Sequence, residues 1–447
     1  KVPYYAAYHG YWASDFTKLN PAMGTDEEFE TLIRTAHEKG MKIMVDVVVN
    51  HAGYGMENTD KFTGMLRDSK DVVETDHELG GYQAGLPDFL TEIPEVRDQI
   101  IEWQVNWAKK GVDYFRVDTV QHVEDTTWMA FKNALTEANP NFKMIGEYFG
   151  AGYNSANGGR LGSGQMDSLL DFNFNEWATQ FVTGDMSAIE GNLASRNKAL
   201  NNTYLTGQFL SSHDENGFKQ ELINKGWSED AAQAAAYVAA TLQITAKGQP
   251  VIYYGEEIGL SGNNDYPYQT NRYDFDWGRL ENQKTQENSI YNHYKKLLAI
   301  RNEYSEVFAK GGRQVVMQSN ADGYDIVSRS YQDKTLYVGM NIKPEARTVK
   351  LAVNANGITG YKDLYSGKTY PVAEDNTIEV TIPAAADGGT VILTADAYKA
   401  GLIAPELVIA KGRETSLPLQ LTKLSEDGQK LLVDVAYTMT AVEGVTL

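Results

Sequence analysis

The sequence predicts an α/β fold: a TIM (β/α)8-type barrel with an inserted irregular domain, followed by a C-terminal all-β sandwich. Three observations predict it. Short apolar runs alternate with amphipathic stretches through residues 1–310, polar residues fall just beyond the ends of those runs, and from about residue 311 the pattern becomes short alternating strands separated by Gly, Asn and Asp.

The runs Lys42–Val49, Val112–Val117, Lys143–Ile145, Ser168–Phe172, Thr206–Leu210 and Pro250–Tyr254 have the length and composition of buried strands. Between them, Glu27–Glu38, Pro94–Lys109, Thr126–Glu137, Met186–Asn197 and Glu229–Ala246 have the patterning of amphipathic helices. This alternation favours a parallel sheet. Asn50, His51, Asp118, Glu147, His213 and Asp214 favour a barrel, because each lies just past a strand's apolar residues and in a barrel those ends converge on one mouth. Residues 52–91 carry Gly, Asp and Glu but no long periodic element, which predicts a small inserted domain walling one side of a cleft. Tyr324–Arg329, Leu336–Asn341, Val349–Val353 and Val391–Leu393 predict the sandwich over 311–396. Glu406–Ala410, Ser416–Leu421 and Leu431–Tyr437 predict part of an additional β domain over 397–447.

Composition narrows the function. The 447 residues exceed a single compact core, so two or three domains are expected. With 40 basic against 60 acidic residues, the net charge of −20 disfavours nucleic acid and anionic membranes as partners. The 27 Tyr and 7 Trp suit the flat faces of sugar rings, although packing accounts for most of them. The absence of cysteine excludes disulfides, thiolate metal sites and cysteine nucleophiles, and is compatible with a secreted bacterial protein. No apolar run approaches the roughly 18 residues needed to cross a bilayer. No Gly-x-Ser-x-Gly elbow follows a strand, and no Walker or strand-linked Gly-x-Gly-x-x-Gly motif occurs.

What remains is carboxylate chemistry. Glycoside cleavage needs one carboxylic acid to protonate the leaving oxygen and one carboxylate on the opposite face of the sugar. Arg116 lies two residues before Asp118 on the same strand face, where its guanidinium is expected to hold Asp118 ionised and oriented for attack. Glu147 ends an apolar strand, and partial burial near another carboxylate is expected to raise its pKa toward that of a general acid. Asp214 is a third acid, suited to sugar hydroxyls and a distorted ring, with His51 and His213 as hydroxyl donors. Any one of these acids alone reads as a helix cap; several at strand ends in register read as an active site.

Asp46-Val-Val-Val-Asn50-His51, Phe115-Arg-Val-Asp118-Thr-Val-Gln-His122, Gly146-Glu147 and Ser212-His213-Asp214 resemble the four ordered regions of the α-amylase family of glycoside hydrolases. Leu86-Pro87-Asp88-Phe89 resembles a fifth region, and Tyr8-His9-Gly10-Tyr11-Trp12 the segment whose Tyr stacks on the sugar being cleaved. The resemblance implies Asp118 as nucleophile, Glu147 as acid/base and Asp214 as transition-state stabiliser, with Tyr11, His51, Arg116 and His213 lining the same subsite. It implies that Asp265 and Arg272 grip a more distant glucose. A calcium ion is implied at Asn50, Asp88 and the His122 carbonyl, completed by an acid from Glu74–Glu78; oxygen-only ligation fits such a hard cation. The motif set is closest to the calcium-dependent endo-acting α-amylases, which implies a secreted, monomeric enzyme hydrolysing internal α-1,4 bonds of α-glucan polysaccharide or maltooligosaccharide. The alternatives are a cyclodextrin glucanotransferase or maltogenic amylase, which Tyr8–Asn20 and Gly146–Gly150 also resemble, and a non-catalytic glucan-binding relative. Because the Tyr8–Trp12 motif normally follows a second strand, the chain is expected to lack the barrel's first two strands and to be part of a larger enzyme.

Overall fold

The computed structural model describes residues 8–72, 79–150, 165–199, 203–265, 269–355, 357–403, 420–424 and 430–432. Six short parallel strands form one curled sheet: β1 (Met44–Val47), β2 (Tyr114–Val117), β3 (Lys143–Gly146), β4 (Ser168–Asp171), β5 (Gly207–Phe209) and β6 (Gln249–Val251). Each strand falls on a predicted run. Neighbours in sequence are neighbours in the sheet, which is the order of a barrel and not the reversing order of a doubly wound sheet. Among the described residues β1 and β6 are its edges. The runs Lys42–Val49 and Pro250–Tyr254 outlast their strands, because Val48 and Val49, and Ile252 to Tyr254, leave the ladder toward the rim.

The helices form for local reasons and bury for tertiary ones. Thr25 and Glu28 close a reciprocal capping box at the start of Asp26–Glu38. Pro94 opens Pro94–Lys109, where its missing N–H costs nothing. The buried face of that helix, Val96, Ile100, Ile101 and Val105, packs with Phe115 and Val117 of β2 in one cluster. Glu229–Thr245 is buried on most sides because it lies in a core shared by the helical layer and the β strands that follow.

The insertion is irregular, as expected. Its described part holds one-turn 3-10 segments at Met56–Asn58, Asp60–Phe62, Ser69–Asp71 and Gln83–Gly85, and isolated bridges His51↔Asp88 and Leu66↔Phe89. Apolar contact substitutes for regular hydrogen bonding. Phe62 and Phe89 meet edge to face at 5.3 Å, and their rings lie 5.9 and 6.5 Å from that of Trp103, fastening the segment to Pro94–Lys109.

Beyond residue 311, β7 (Gly312–Ser319), β8 (Tyr324–Tyr331), β9 (Lys334–Asn341), β10 (Arg347–Ala352), β11 (Ile358–Asp363), β12 (Thr369–Pro371), β13 (Thr377–Ile382) and β14 (Thr390–Tyr398) form two antiparallel sheets. Alternation along the strands divides the apolar residues between two cores. Ile326, Val391 and Leu393 meet Leu351, Ile378 and Val380 of the β10–β13 pair, whereas Val327, Val338 and Ile392 join the helical core. A further antiparallel sheet contains β15 (Ala400–Ile403), β16 (Gln420–Leu424) and β17 (Lys430–Leu432). The predicted run Glu406–Ala410 lies outside the described residues.

A buried ion pair ties β7 to the helix Met186–Ala199. Both Nε and Nη2 of Arg313 donate to Glu190, at 2.8 and 2.6 Å. With 3% and 6% of the two side chains exposed, water cannot replace a lost partner. Arg313→Ala is therefore expected to cost about 3–5 kcal/mol, the range for a buried charge left unpaired. Urea denaturation measures it; a loss below about 1 kcal/mol contradicts this account.

Candidate active site

The ladder itself builds the site. Asp46 of β1 pairs with Arg116 of β2, and Arg116 with Ile145 of β3, so Asp46 and Arg116 share a level one turn of the pleat below the rim. The ladder then runs one residue further: Asp118 N–H donates to Val47 O at 3.0 Å and Glu147 N–H to Val117 O at 2.8 Å. Asp118 and Glu147 thus emerge side by side at the C-terminal rim. Thr119 follows in the left-handed region at φ +51°, a strained conformation for a β-branched residue, and its N–H donates to Glu147 Oε2 at 3.0 Å.

Arg116 is the hub. Its Nη1 donates to Asp118 Oδ1 at 2.8 Å and to Asp46 Oδ1 at 2.9 Å, and its Nη2 lies 3.1 Å from Glu147 Oε1. Burial pushes the Glu147 carboxyl up to about 7 against the pull of Arg116, with Asp118 and Asp214 adding to the rise. The sequence reading expected Arg116 to hold Asp118 ionised. In the structure burial raises Asp118 too, with Arg116 opposing it and Asp46 and Asp214 reinforcing it. The shorter guanidinium contact goes to Asp118 and the longer one to Glu147.

Tyr11 and His213 form the next wall. Tyr11 OH donates to Asp46 Oδ2 at 2.5 Å and lies 2.9 Å from His213 Nε2, and the two rings stack at 5.7 Å. Gly53 holds the Tyr11 segment in place: its N–H donates to Ala13 O at 2.8 Å, and a Cβ there would come within 2.5 Å of Trp12 O. His51 is buried, its Nε2 has no hydrogen-bond partner, and burial lowers its imidazole to about 4, which leaves it neutral. Asp214 sits beyond β5, 2.9 Å from His213 Nε2. Burial pushes the Asp214 carboxyl up, but His213 and then Arg272 outweigh it and hold it below the usual carboxylate range.

The structure thus brings Tyr11, Arg116, Asp118, Glu147, His213 and Asp214 together. Arg272, expected at a more distant subsite, contacts Asp214 Oδ1 through Nη2 at 3.1 Å and donates from Nε to His213 O at 2.9 Å. Asp265 is exposed and borders a cleft shared with Asp214, Glu215, Glu176 and Lys225. Sequence reasoning missed Asp46 as a partner of Arg116. The available signal was its place in the same run as Asn50, four residues earlier and on the same face.

Asn50, Asp88 and the His122 carbonyl also converge. The Asn50 amide oxygen position lies 3.2 Å from Asp88 Oδ1 and 3.0 Å from His122 O. An oxygen set of this kind fits a hard cation, and the same contacts become hydrogen bonds from Asn50 to both oxygens if the amide turns so that its nitrogen faces them. Arg67 Nε donates to the other Asp88 oxygen at 2.8 Å. Glu74–Glu78, expected to complete the set, lies outside the described residues.

A parallel barrel-type sheet with three carboxylates grouped at its C-terminal rim defines a glycoside hydrolase type of enzyme. The chain belongs to the α-amylase family, since the family model "Alpha amylase, catalytic domain" matches residues 3–79 and 71–276. Neopullulanase 2 of Thermoactinomyces vulgaris is 28% identical over 382 residues, an alignment spanning 81% of this chain and 62% of that relative's length. Alpha-amylase 3 of Dictyoglomus thermophilum is 31% identical over 343 residues, spanning 66% of this chain and 67% of that one. Cyclomaltodextrin glucanotransferases and a cyclomaltodextrinase are further relatives. The crystal structure of the α-amylase from Geobacillus thermoleovorans complexed with acarbose shares the fold, with a TM-score of 0.76 at 23% identity, covering 87% of this chain and 85% of that one.

The position of Glu147 predicts a pH profile. A general acid works only while protonated, so kcat/KM on a maltooligosaccharide is expected to fall as pH rises through about 7. A profile flat from pH 6 to about 9 contradicts a donor with that pKa.

Proposed function

We propose that this chain hydrolyses internal α-1,4-glucosidic bonds of starch and related α-glucans with retention of anomeric configuration. The observation that carries the proposal is the pair Asp118 and Glu147 bound to one guanidinium, with Asp214 electrostatically coupled to both. Asp118 attacks the anomeric carbon as carboxylate while Glu147 gives its proton to the departing oxygen. A glycosyl-aspartate forms, and Glu147, now a base, draws a proton from the water that releases the sugar. Asp214, kept ionised by His213 and Arg272, takes hydroxyls of the ring in its flattened state. The Tyr11 ring, stacked on His213, completes the sugar's surroundings.

Asp118→Asn is expected to lower starch hydrolysis by several orders of magnitude while the urea midpoint stays near that of the unchanged protein. Undiminished hydrolysis by the variant removes Asp118 as the nucleophile, whereas no hydrolysis by the unchanged protein would favour the reading of a non-catalytic glucan-binding relative. Transglycosylation is the second reading, favoured by the glucanotransferase relatives and by the strands β15–β17 after the sandwich. Chromatography of early products separates the two: linear oligosaccharides of mixed length support the endo-hydrolase, whereas cyclic products, or maltose from the first time point, contradict it.

The proposal includes a calcium ion held by Asn50, Asp88 and the His122 carbonyl. It would fix the insertion, which carries Asp88, to the rim beside Asp118, and would supply positive charge to the buried Asp88 carboxyl. It also includes secretion, because polymeric starch cannot enter a cell, and action as a monomer. Chelation is expected to lower the thermal midpoint, calcium to restore it, and Asn50→Ala to remove the response. A midpoint indifferent to chelator rules the ion out.

A further inference from the structure

We infer that Asn271 and Arg272 are positioning residues for Asp214 and not a grip on a distant glucose, an inference that rests on Asp214 acting as proposed above. The segment carrying Asp214 leaves β5 without entering a helix until Phe218, so its carbonyls have no partners in regular structure. A second loop, beyond β6, supplies them. The buried Asn271 amide donates to Glu215 O at 2.7 Å and lies 3.2 Å from both Ser212 O and His213 O. Arg272 adds Nε to His213 O at 2.9 Å and Nη2 to Asp214 Oδ1 at 3.1 Å. Five contacts from two adjacent residues therefore fix four consecutive residues, Ser212 to Glu215, in the direction that aims the acid.

The second loop is itself held from both ends. Asn271 O accepts from Tyr253 OH at 2.9 Å, and Gln269 accepts from Tyr8 OH. Gly217 N–H donates to Gly262 O at 2.9 Å, and the loops approach so closely that a Cβ on Gly217 would fall 2.2 Å from Ser261 Oγ. Among the described residues, both side-chain hydrogen bonds of Arg272 go to the Asp214 segment.

The two roles differ in what they do to kinetics. A residue that aims the acid acts on the chemical step alike for every substrate, whereas a residue that grips a distant glucose acts on binding, and only when the substrate is long enough to reach it. Steady-state kinetics of Arg272→Ala on a maltotrioside and a maltoheptaoside, each with a chromogenic leaving group, reads the difference. The expected result is a fall in kcat by about 10- to 100-fold, equal for both substrates, with KM within about twofold, since misplacement of a reacting group by about 1 Å costs that much. Arg272→Lys keeps the charge but loses the paired geometry, and is expected to recover part of kcat; it also serves if the alanine variant fails to fold. A KM that rises more for the longer substrate with kcat preserved overturns the inference. Asp214→Asn is the control for the underlying reading: if it stays active, the role of Asp214 fails, whereas if it is inactive while Arg272→Ala and Arg272→Lys keep kcat, only the clamp fails.

Discussion

Arg116 stands between Asp46, Asp118 and Glu147, and the rest of the site is arranged around that shared guanidinium. One positive charge cannot neutralise three carboxylates. At an effective dielectric near 20, two like charges about 4 Å apart repel by roughly 4 kcal/mol, equivalent to about three pKa units. A proton retained by one acid relieves most of that repulsion. Burial raises both Asp118 and Glu147, and the proposal gives the retained proton to Glu147, whose guanidinium contact is the longer, so that one guanidinium separates two chemically similar groups into a proposed acid and a proposed nucleophile.

That separation is useful only if the groups stay aimed, and the scaffold fixes each by a different means. Asp118 and Glu147 are carried by ladder hydrogen bonds continued past their strands, so their backbones are as fixed as the sheet. Tyr11 comes from outside the ladder and depends on the missing side chain at Gly53. Asp214 lies on an irregular segment that borrows donors from its neighbouring loop.

The fold was legible where one strand or helix explains its own residues. Pro94–Lys109 coincides with the observed helix, and Lys143–Ile145 and Thr126–Glu137 fall within one residue of the observed bounds at each end, because burial and helical spacing are written locally. The strand-end acids were legible for the same reason: a polar residue closing an apolar run needs a purpose. Contacts between loops were not. The contact of Arg272 with Asp214 was not foreseen, and Asn271 bonds to backbone carbonyls, which leave no mark in sequence at all. Asp118 shows the limit of reasoning from a single neighbour, since Arg116 was visible two residues away while the burial that opposes it was a property of the assembled site.

The central claim is that the shared guanidinium leaves Asp118 as the attacking carboxylate. Incubation with a 5-fluoro-α-glycosyl fluoride, which forms a glycosyl-enzyme faster than water can release it, followed by proteolysis and mass spectrometry, tests the claim directly. The account predicts a stoichiometric adduct on the peptide containing Asp118. A label on Glu147 or Asp214, or turnover of the reagent with no covalent adduct at any time, would contradict it.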